Sequence, residues 1–156
     1  MLNIVLYEPE IALNTGNIGR SAVLSGSRLH LIRPFSFRLD DKLIKKAVMD
    51  YWKNVDLVIH DSYDDFLEYK KDGRLFFAST KSSKYYTEVE FKDGDYIMFG
   101  PESRGIPESI LFDDNSPGVN IKIPMIETSL RSLNLANSVN IILFEALRQL
   151  NFPHMK

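Results

Sequence analysis

Short apolar runs alternate with amphipathic stretches along most of the chain. Apolar runs of strand character occupy residues 2–7, 28–33, 55–60, 75–80, 95–100 and 119–124. Residues 14–26, 40–52, 62–71 and 134–150 instead carry apolar side chains at helical spacing. Strands that alternate with helices through short connections predict an α/β fold, with a mostly parallel sheet and helices on both faces.

The last predicted helix, at about 134–150, has two apolar stripes. Ile141 and Phe144 form the narrower one, although a helix on the surface of a monomer needs only one apolar face. This narrower stripe is either part of a broad core face or a contact with a second copy of the chain. The wider stripe follows the 3.6-residue period and should face the sheet; its members are Leu135, Val139, Ile142, Leu143, Ala146, Leu147 and Leu150.

The amino-acid composition mainly excludes kinds of structure and chemistry. The 156 residues contain no repeat or linker, which predicts one domain over residues 1–156. The absence of cysteine excludes disulfides and thiolate chemistry, and His30, His60 and His154 are too far apart in sequence to predict a metal site. No apolar run has membrane-spanning length and no signal peptide is evident, so we expect a cytoplasmic protein that does not bind membranes.

The charge pattern is ambiguous about nucleic acid. The net charge of −2 is not typical of a nucleic-acid-binding protein, which is usually basic over a patch or throughout. Lys42, Lys45 and Lys46 nevertheless fall on one side of the second predicted helix. Such a cluster is either an ordinary solvated face or a local basic surface for phosphates.

Three polar segments follow predicted strands, and ligands of open α/β sheets bind at the carboxyl ends of strands. They are NTGNIGR (14–20), FGPESRGIP (99–107) and IPMIETSLRSLNLANS (123–138), and the last has more polar groups than one helix cap requires. The second segment lacks the Lys and Ser/Thr of a phosphate-binding P-loop. The chain also lacks the dinucleotide-binding Gly-x-Gly-x-x-Gly and the hydrolase Gly-x-Ser-x-Gly patterns, so most of the common α/β chemistries are eliminated.

In their order and spacing, the three segments resemble the motifs of the SPOUT superfamily of RNA methyltransferases. They are most similar to its tRNA (cytidine(34)-2'-O)-methyltransferase branch, and the similarity includes the opening MLNIVLYEPEI. The chain departs from the pattern at Ala12-Leu13, where relatives often have proline, and in IETSL, which is one residue longer than usual. The resemblance implies a C-terminal deep trefoil knot, S-adenosylmethionine as cofactor, and a homodimer with its site at the subunit interface.

The resemblance also implies a catalytic group of Arg20, Glu102 and Asn134. Arg20 matches the catalytic arginine of the family. Because a guanidinium stays protonated in proteins, it suits stabilising the developing alkoxide or holding a phosphate better than acting as a base. Glu102 is expected to pair with an arginine at the site, and Asn134 to orient the substrate or a loop.

The binding residues divide into two groups. Cofactor contacts, largely through the backbone, are expected at Ala78, Gly100, Ile123 and Ser132. On the substrate side, Gly19 should let RNA backbone approach closely, and Asn14 and Asn17 should bind the substrate or cap the first helix. Lys42, Lys45 and Lys46 complete the predicted substrate-binding set, and no metal is expected.

The function implied is S-adenosylmethionine-dependent 2'-O-methylation of the wobble pyrimidine, nucleotide 34, in the anticodon stem-loop of tRNA. Two alternatives stay open: a SPOUT 2'-O-methyltransferase that acts on ribosomal RNA, and a catalytically silent α/β RNA-binding module. The presence of Arg20, Glu102 and Asn134 argues against silence. The lack of an added RNA-binding domain favours a small single-stranded target such as the anticodon loop.

Overall fold

Six strands form one sheet in the computed structural model, which describes residues 1–48, 50–127 and 131–156. The strand order is β3-β2-β1-β5-β4-β6, and every pairing is parallel. The predicted parallel sheet is therefore confirmed. The strands are β1 (Asn3–Tyr7), β2 (Arg28–Ile32), β3 (Leu57–His60), β4 (Leu75–Ala78), β5 (Tyr96–Phe99) and β6 (Gly118–Ile121).

The helices agree less closely with the sequence pattern than the strands do. The second helix was predicted over 40–52, but α2 ends at Val48 and a separate 3-10 turn follows at Tyr51–Asn54; Met49 lies outside the described residues. The four-residue α4 was not predicted, because one turn is too short to show a period. The α-helices are α1 (Ala12–Ser25), α2 (Lys42–Val48), α3 (Tyr63–Lys70), α4 (Glu108–Leu111) and α5 (Leu135–Gln149), and a second 3-10 turn spans Tyr86–Glu88.

Buried side chains cover both faces of the sheet. Ile4 and Leu6 of β1 pack in a core with α1 and α5, whereas Val5 between them packs in the core on the other face with α3 and α4. This alternation follows from the two-residue period of a strand. The wide apolar stripe of α5 faces the first core as predicted, with Leu135 and Leu150 half-buried and the rest buried: Val139, Ile142, Leu143, Ala146 and Leu147.

A pair of buried histidines lies on the α3 side of the sheet. His30 Nδ1 and His60 Nε2 are 3.0 Å apart, and His30 Nε2 lies 3.0 Å from Asn3 Oδ1. Burial lowers the pKa of His30 to about 3 and also lowers the pKa of His60. The two residues are neighbours because β2 and β3 pair in parallel, a proximity that their separation in sequence did not predict.

The trefoil knot expected from the resemblance involves the C-terminal segment between β6 and α5. Residues 128–130 of this segment, which include part of the unusual IETSL stretch, lie outside the described residues. The knot therefore stays a prediction. What the structure does describe is the result of the connection: α5 packs beside α1 on the same face of the sheet.

Candidate active site

A cavity of about 820 Å³ opens at the carboxyl ends of the central strands. Its walls come from the loops that follow β1, β4 and β5 and from the segment between β6 and the first turns of α5. This volume lies within the range of ordinary cofactor and ligand sites. All four residues that the sequence assigned to cofactor contact line the cavity, namely Ala78, Gly100, Ile123 and Ser132.

The cavity wall combines apolar and polar groups. Ile123, Leu133 and Ile142 supply aliphatic surface, while the Ser132 side chain and the loop 99–106 supply polar groups. The loop owes its tight conformation to Gly100, because a Cβ there would lie 2.2 Å from the backbone carbonyl carbon of Gly105. Such a wall can contact both the apolar and the polar parts of one ligand.

A chain of side-chain hydrogen bonds joins all three sequence motifs at the cavity. Asn14 Nδ2 in α1 donates to Glu102 Oε1 at 3.3 Å. Asn134 Nδ2 donates in turn to Asn14 Oδ1 at 3.0 Å, and Asn134 Oδ1 accepts from the N–H groups of Ala136 and Asn137, which caps α5. Asn134 thus has two structural tasks, and the polar start of the last helix is only partly explained by capping.

At the other end of this series of hydrogen bonds, Glu102 binds the start of α1. Its carboxylate accepts from the N–H groups of Glu10 at 2.8 Å and Ile11 at 3.1 Å. Because Ile11 provides no side-chain cap, the Glu102 carboxylate supplies acceptors and negative charge where the helix exposes N–H groups. No arginine among the described residues of one chain forms an ion pair with Glu102, whose partners within that chain are backbone and amide donors. The pairing of Glu102 with an arginine stays a prediction.

A second set of contacts joins the same two loops. Glu10 accepts from the N–H of Ser103 at 3.0 Å and from its hydroxyl at 2.6 Å, and Arg104 donates to Glu8 at 2.5 Å. The hydrogen bonds from Ser103 hold the pKa of the Glu10 carboxyl below its usual value. These four residues were not singled out from the sequence, although the acids directly after the first strand were a usable signal.

Two of the predicted site residues in the first segment, NTGNIGR (14–20), do not line the cavity. Arg20 and Asn17 are exposed on α1, and Arg20 lies six residues, about 9 Å along the helix axis, beyond Asn14. The Arg20 guanidinium carbon lies 5.3 Å from the centre of the Tyr51 ring. Arg20, the predicted catalytic arginine, therefore lies outside the cavity of its own chain.

Two expectations for motif one are corrected by packing. Asn14 does not cap α1, because the helix begins at Ala12. The buried Asn14 side chain instead forms hydrogen bonds with Glu102 and Asn134. Gly19 is not open to RNA backbone, since a Cβ there would lie 2.6 Å from the Trp52 ring. Gly19 instead lets the 3-10 turn Tyr51–Asn54 sit against α1.

The predicted lysine cluster lies on α2, which packs against α1. Lys42, Lys45 and Lys46 are exposed, and none of them forms an ion pair within the described part of the chain. A group of three or more side chains able to hold a metal ion does not occur among those residues either. None of the helices that the structure describes is long and apolar enough to cross a membrane.

Comparison with known proteins places this geometry in a family. The chain is 48% identical over 153 residues to the tRNA (cytidine(34)-2'-O)-methyltransferase of Escherichia coli (strain K12), with 98% of this chain and 96% of the relative covered. It is 46% identical to the Saccharophagus degradans protein of the same name, with both chains fully covered.

Solved structures agree with these relatives. One described as giving insights into the 2-OH methylation of C/U34 on tRNA has 47% identity and a TM-score of 0.90, with 97% of each chain covered. The methyltransferase AviRb of Streptomyces viridochromogenes, solved with AdoMet, shares the fold at 21% identity and a TM-score of 0.83, over 97% of this chain and 61% of that chain.

The model of the SpoU rRNA methylase family matches residues 1–144, which is most of the chain. The two tRNA methyltransferases cited above share close to half of their residues with it over nearly their whole lengths. The motif resemblance read from the sequence is thereby confirmed, and the chain belongs to the SpoU rRNA methylase family, a SPOUT methyltransferase family.

Proposed function

We propose that this protein transfers the methyl group of S-adenosylmethionine to the 2'-hydroxyl of the wobble pyrimidine, nucleotide 34, of tRNA in the cytoplasm. The observation that carries the proposal is the cavity that the hydrogen-bonded chain Glu102–Asn14–Asn134 closes, because residues from all three family motifs meet there. The names of the full-length relatives give the substrate.

The cavity has the walls that S-adenosylmethionine requires. Aliphatic surface at Ile123, Leu133 and Ile142 suits the adenine ring, and the Gly100 loop presents backbone groups to polar atoms. Ser132 adds a side-chain hydroxyl at the same wall. When bound, this cofactor would supply a methyl group on a sulfonium sulfur: in-line attack of the ribose oxygen on the methyl carbon would break the carbon–sulfur bond, with S-adenosylhomocysteine and a proton as the other products.

The chain's own residues must activate and orient the nucleophile. A ribose hydroxyl is a poor nucleophile, and a positive charge preorganised beside its oxygen stabilises the alkoxide that develops. Arg20 is assigned this task, or a clamp on the adjacent phosphate. Glu102 and Asn134 act as positioning residues in this scheme, since they hold α1, α5 and the Gly100 loop together.

A homodimer brings Arg20 to a cavity. Arg20 lies outside the cavity of its own chain, so a second copy is the source of the arginine for each site. Ile141 and Phe144 on α5 are 36% and 42% exposed, which leaves an apolar stripe for that copy to cover. Lys42, Lys45 and Lys46 then provide a local basic surface for tRNA phosphates on a chain whose net charge is −2.

A methylation assay with isolated anticodon stem-loops tests the substrate. Purified protein and labelled S-adenosylmethionine are incubated with stem-loops that carry either ribose or 2'-deoxyribose at position 34. We expect incorporation only with the ribose, because the 2'-hydroxyl is the acceptor. Incorporation that survives the 2'-deoxy substitution would refute nucleotide 34, and efficient incorporation into ribosomal RNA alone would favour the ribosomal alternative.

The same assay tests the role of Arg20. Arg20→Ala should lower the methylation rate by about 10²–10³, the usual loss for one preorganised charge donor, with little change in cofactor affinity. Arg20→Lys should also be slow, because an ammonium lacks the planar fork of a guanidinium. A rate for Arg20→Ala close to that of the unmodified protein would remove Arg20 from the mechanism.

A further inference from the structure

The loop that follows β2 presents an arginine against two stacked aromatic rings. The Phe35 and Phe37 ring centres are 5.1 Å apart with an angle of 23° between the planes. The Arg33 guanidinium carbon lies 5.0 Å from the centre of the Phe35 ring. Nearly half of the Arg33 side chain, 48%, remains exposed. We call Arg33, Phe35 and Phe37 the Arg33 platform.

The platform is anchored rather than free on the surface. Phe35 is half-buried and packs against the core beneath α1 and α5. Phe37 is also half-buried and packs into a small cluster around Ala12 and Ile44. Arg33 therefore lies over a ring, Phe35, that is itself held by packing, which limits the conformational freedom that a bound ligand would remove.

The platform lies beside both parts of the proposed active site. Adjacent strands are about 4.8 Å apart, and the loop after β2 neighbours the loop after β1, which lines the cavity. Phe37 packs near Ala12, whose neighbour Ile11 lines the cavity. The same small cluster includes Tyr51, the ring over which Arg20 lies.

We propose that the Arg33 platform binds an unpaired nucleobase of the RNA substrate, next to the nucleotide that is methylated. This proposal rests on the proposed function, because it assumes a single-stranded RNA loop at the site. Guanidinium planes and aromatic rings are the groups on which proteins stack splayed bases of single-stranded RNA. The platform would hold the neighbouring base while the target ribose enters the cavity.

The charge around Arg33 favours a base over a phosphate as the ligand. Asp61 lies 3.7 Å from Arg33 Nε, and this exposed carboxylate repels a second anion at the same place. The planar face of the guanidinium is not used by that ion pair. Lys42, Lys45 and Lys46 of α2 are exposed and form no ion pair with any described residue. Phosphates are therefore assigned to these lysines, and base stacking to the Arg33 platform.

The test is a coupling experiment between protein and RNA. Dissociation constants are measured for anticodon stem-loops that lack one base at a time on either side of position 34, with the unmodified protein and with Arg33→Lys. The lysine keeps the charge but has no planar face. Arg38→Lys is the matched control, because Arg38 is in the same loop and its guanidinium is paired with Asp40 at 3.1 Å.

We expect Arg33→Lys to weaken binding of the intact stem-loop by about 5- to 150-fold, the range for loss of one base stack. With the stem-loop that lacks one particular base, the same substitution should hardly change the dissociation constant, because the base on which Arg33 stacks is already absent. Arg38→Lys should show no such coupling. Equal effects of Arg33→Lys on intact and abasic stem-loops, or no effect on either, would overturn the platform.

The methylation assay separates this proposal from the proposed function. If the unmodified protein methylates the stem-loop but no abasic position couples to Arg33, the platform is wrong and the proposed function stands. If the unmodified protein neither binds nor methylates the stem-loop, the proposed function fails and the platform fails with it.

Discussion

Replacing Glu102 distinguishes a catalytic role from a positioning role. Glu102→Ala removes the acceptor for two backbone N–H groups and for Asn14. Loss of a helix cap costs about 1 kcal/mol and a charge-assisted hydrogen bond contributes about 1.5–3 kcal/mol. Because the two backbone contacts are exposed to water, we expect a total loss of about 2–3 kcal/mol in the free energy of unfolding. For a chain of this size that corresponds to about 4–12 °C in Tm.

The positioning role also predicts how the loss is distributed. Without Glu102 the start of α1 and the Gly100 loop are no longer joined, so affinity for S-adenosylmethionine should fall together with stability. Thermal unfolding and calorimetric titration measure the two quantities. The stability and cofactor affinity of Glu102→Gln should lie between those of the unmodified protein and of Glu102→Ala. The amide keeps one acceptor oxygen, but its NH2 group faces other N–H donors.

Glu108 offers a matched control beside the same loop. Its carboxylate is exposed and makes one ion pair with Lys81 at 3.0 Å, so Glu108→Gln should change stability by no more than about 0.5–1 kcal/mol. The reasoning is refuted if Glu102→Gln keeps full stability and cofactor affinity yet loses more than about 100-fold in rate. That pattern would make Glu102 a catalytic residue.

Three further outcomes follow from the packing. Gly100→Ala should abolish cofactor binding in calorimetry, because its Cβ would lie 2.2 Å from the Gly105 backbone; unchanged affinity would contradict this. Phe144→Glu should shift sedimentation toward monomer, and an unchanged species would place the interface elsewhere. Stability should fall by about 1.6 kcal/mol between pH 6.5 and 5, since His30 takes up a proton in the unfolded chain but stays neutral in the folded one, where its pKa is about 3. His30→Gln should reduce this slope in urea unfolding; an unchanged slope would contradict the reasoning.

The sequence predicted most of the sheet because each strand is a local pattern. A strand buried on both faces is a continuous apolar run, and the wide stripe of α5 needs only the helical period. The start of α1 was misplaced because its cap is not local. Glu102, about 90 residues away, supplies the acceptors at Glu10 and Ile11, and no pattern within the helix reveals that.

The sequence indicated which loops line the cavity, but it did not indicate which side chains bond to one another there. Ala78 and Gly100 line the cavity as expected, since the motif fixes which loops meet there. Asn14 was weighed as a cap or a substrate ligand, yet its partners are two side chains from distant segments. Gly19 was misassigned because the Trp52 ring that covers it lies 33 positions further on.

The Asn14–Asn134 hydrogen bond joins residues that are 120 positions apart, and this sets when the cavity can exist. During synthesis β1 and α1 emerge long before α5, so Ile4 and Leu6 cannot pack against α5 until that helix has been made. If the cavity binds S-adenosylmethionine as proposed, binding would then require α5 to be in place. A ligand that binds only the folded state stabilises it by mass action, so S-adenosylmethionine would select complete molecules over truncated ones in the cell.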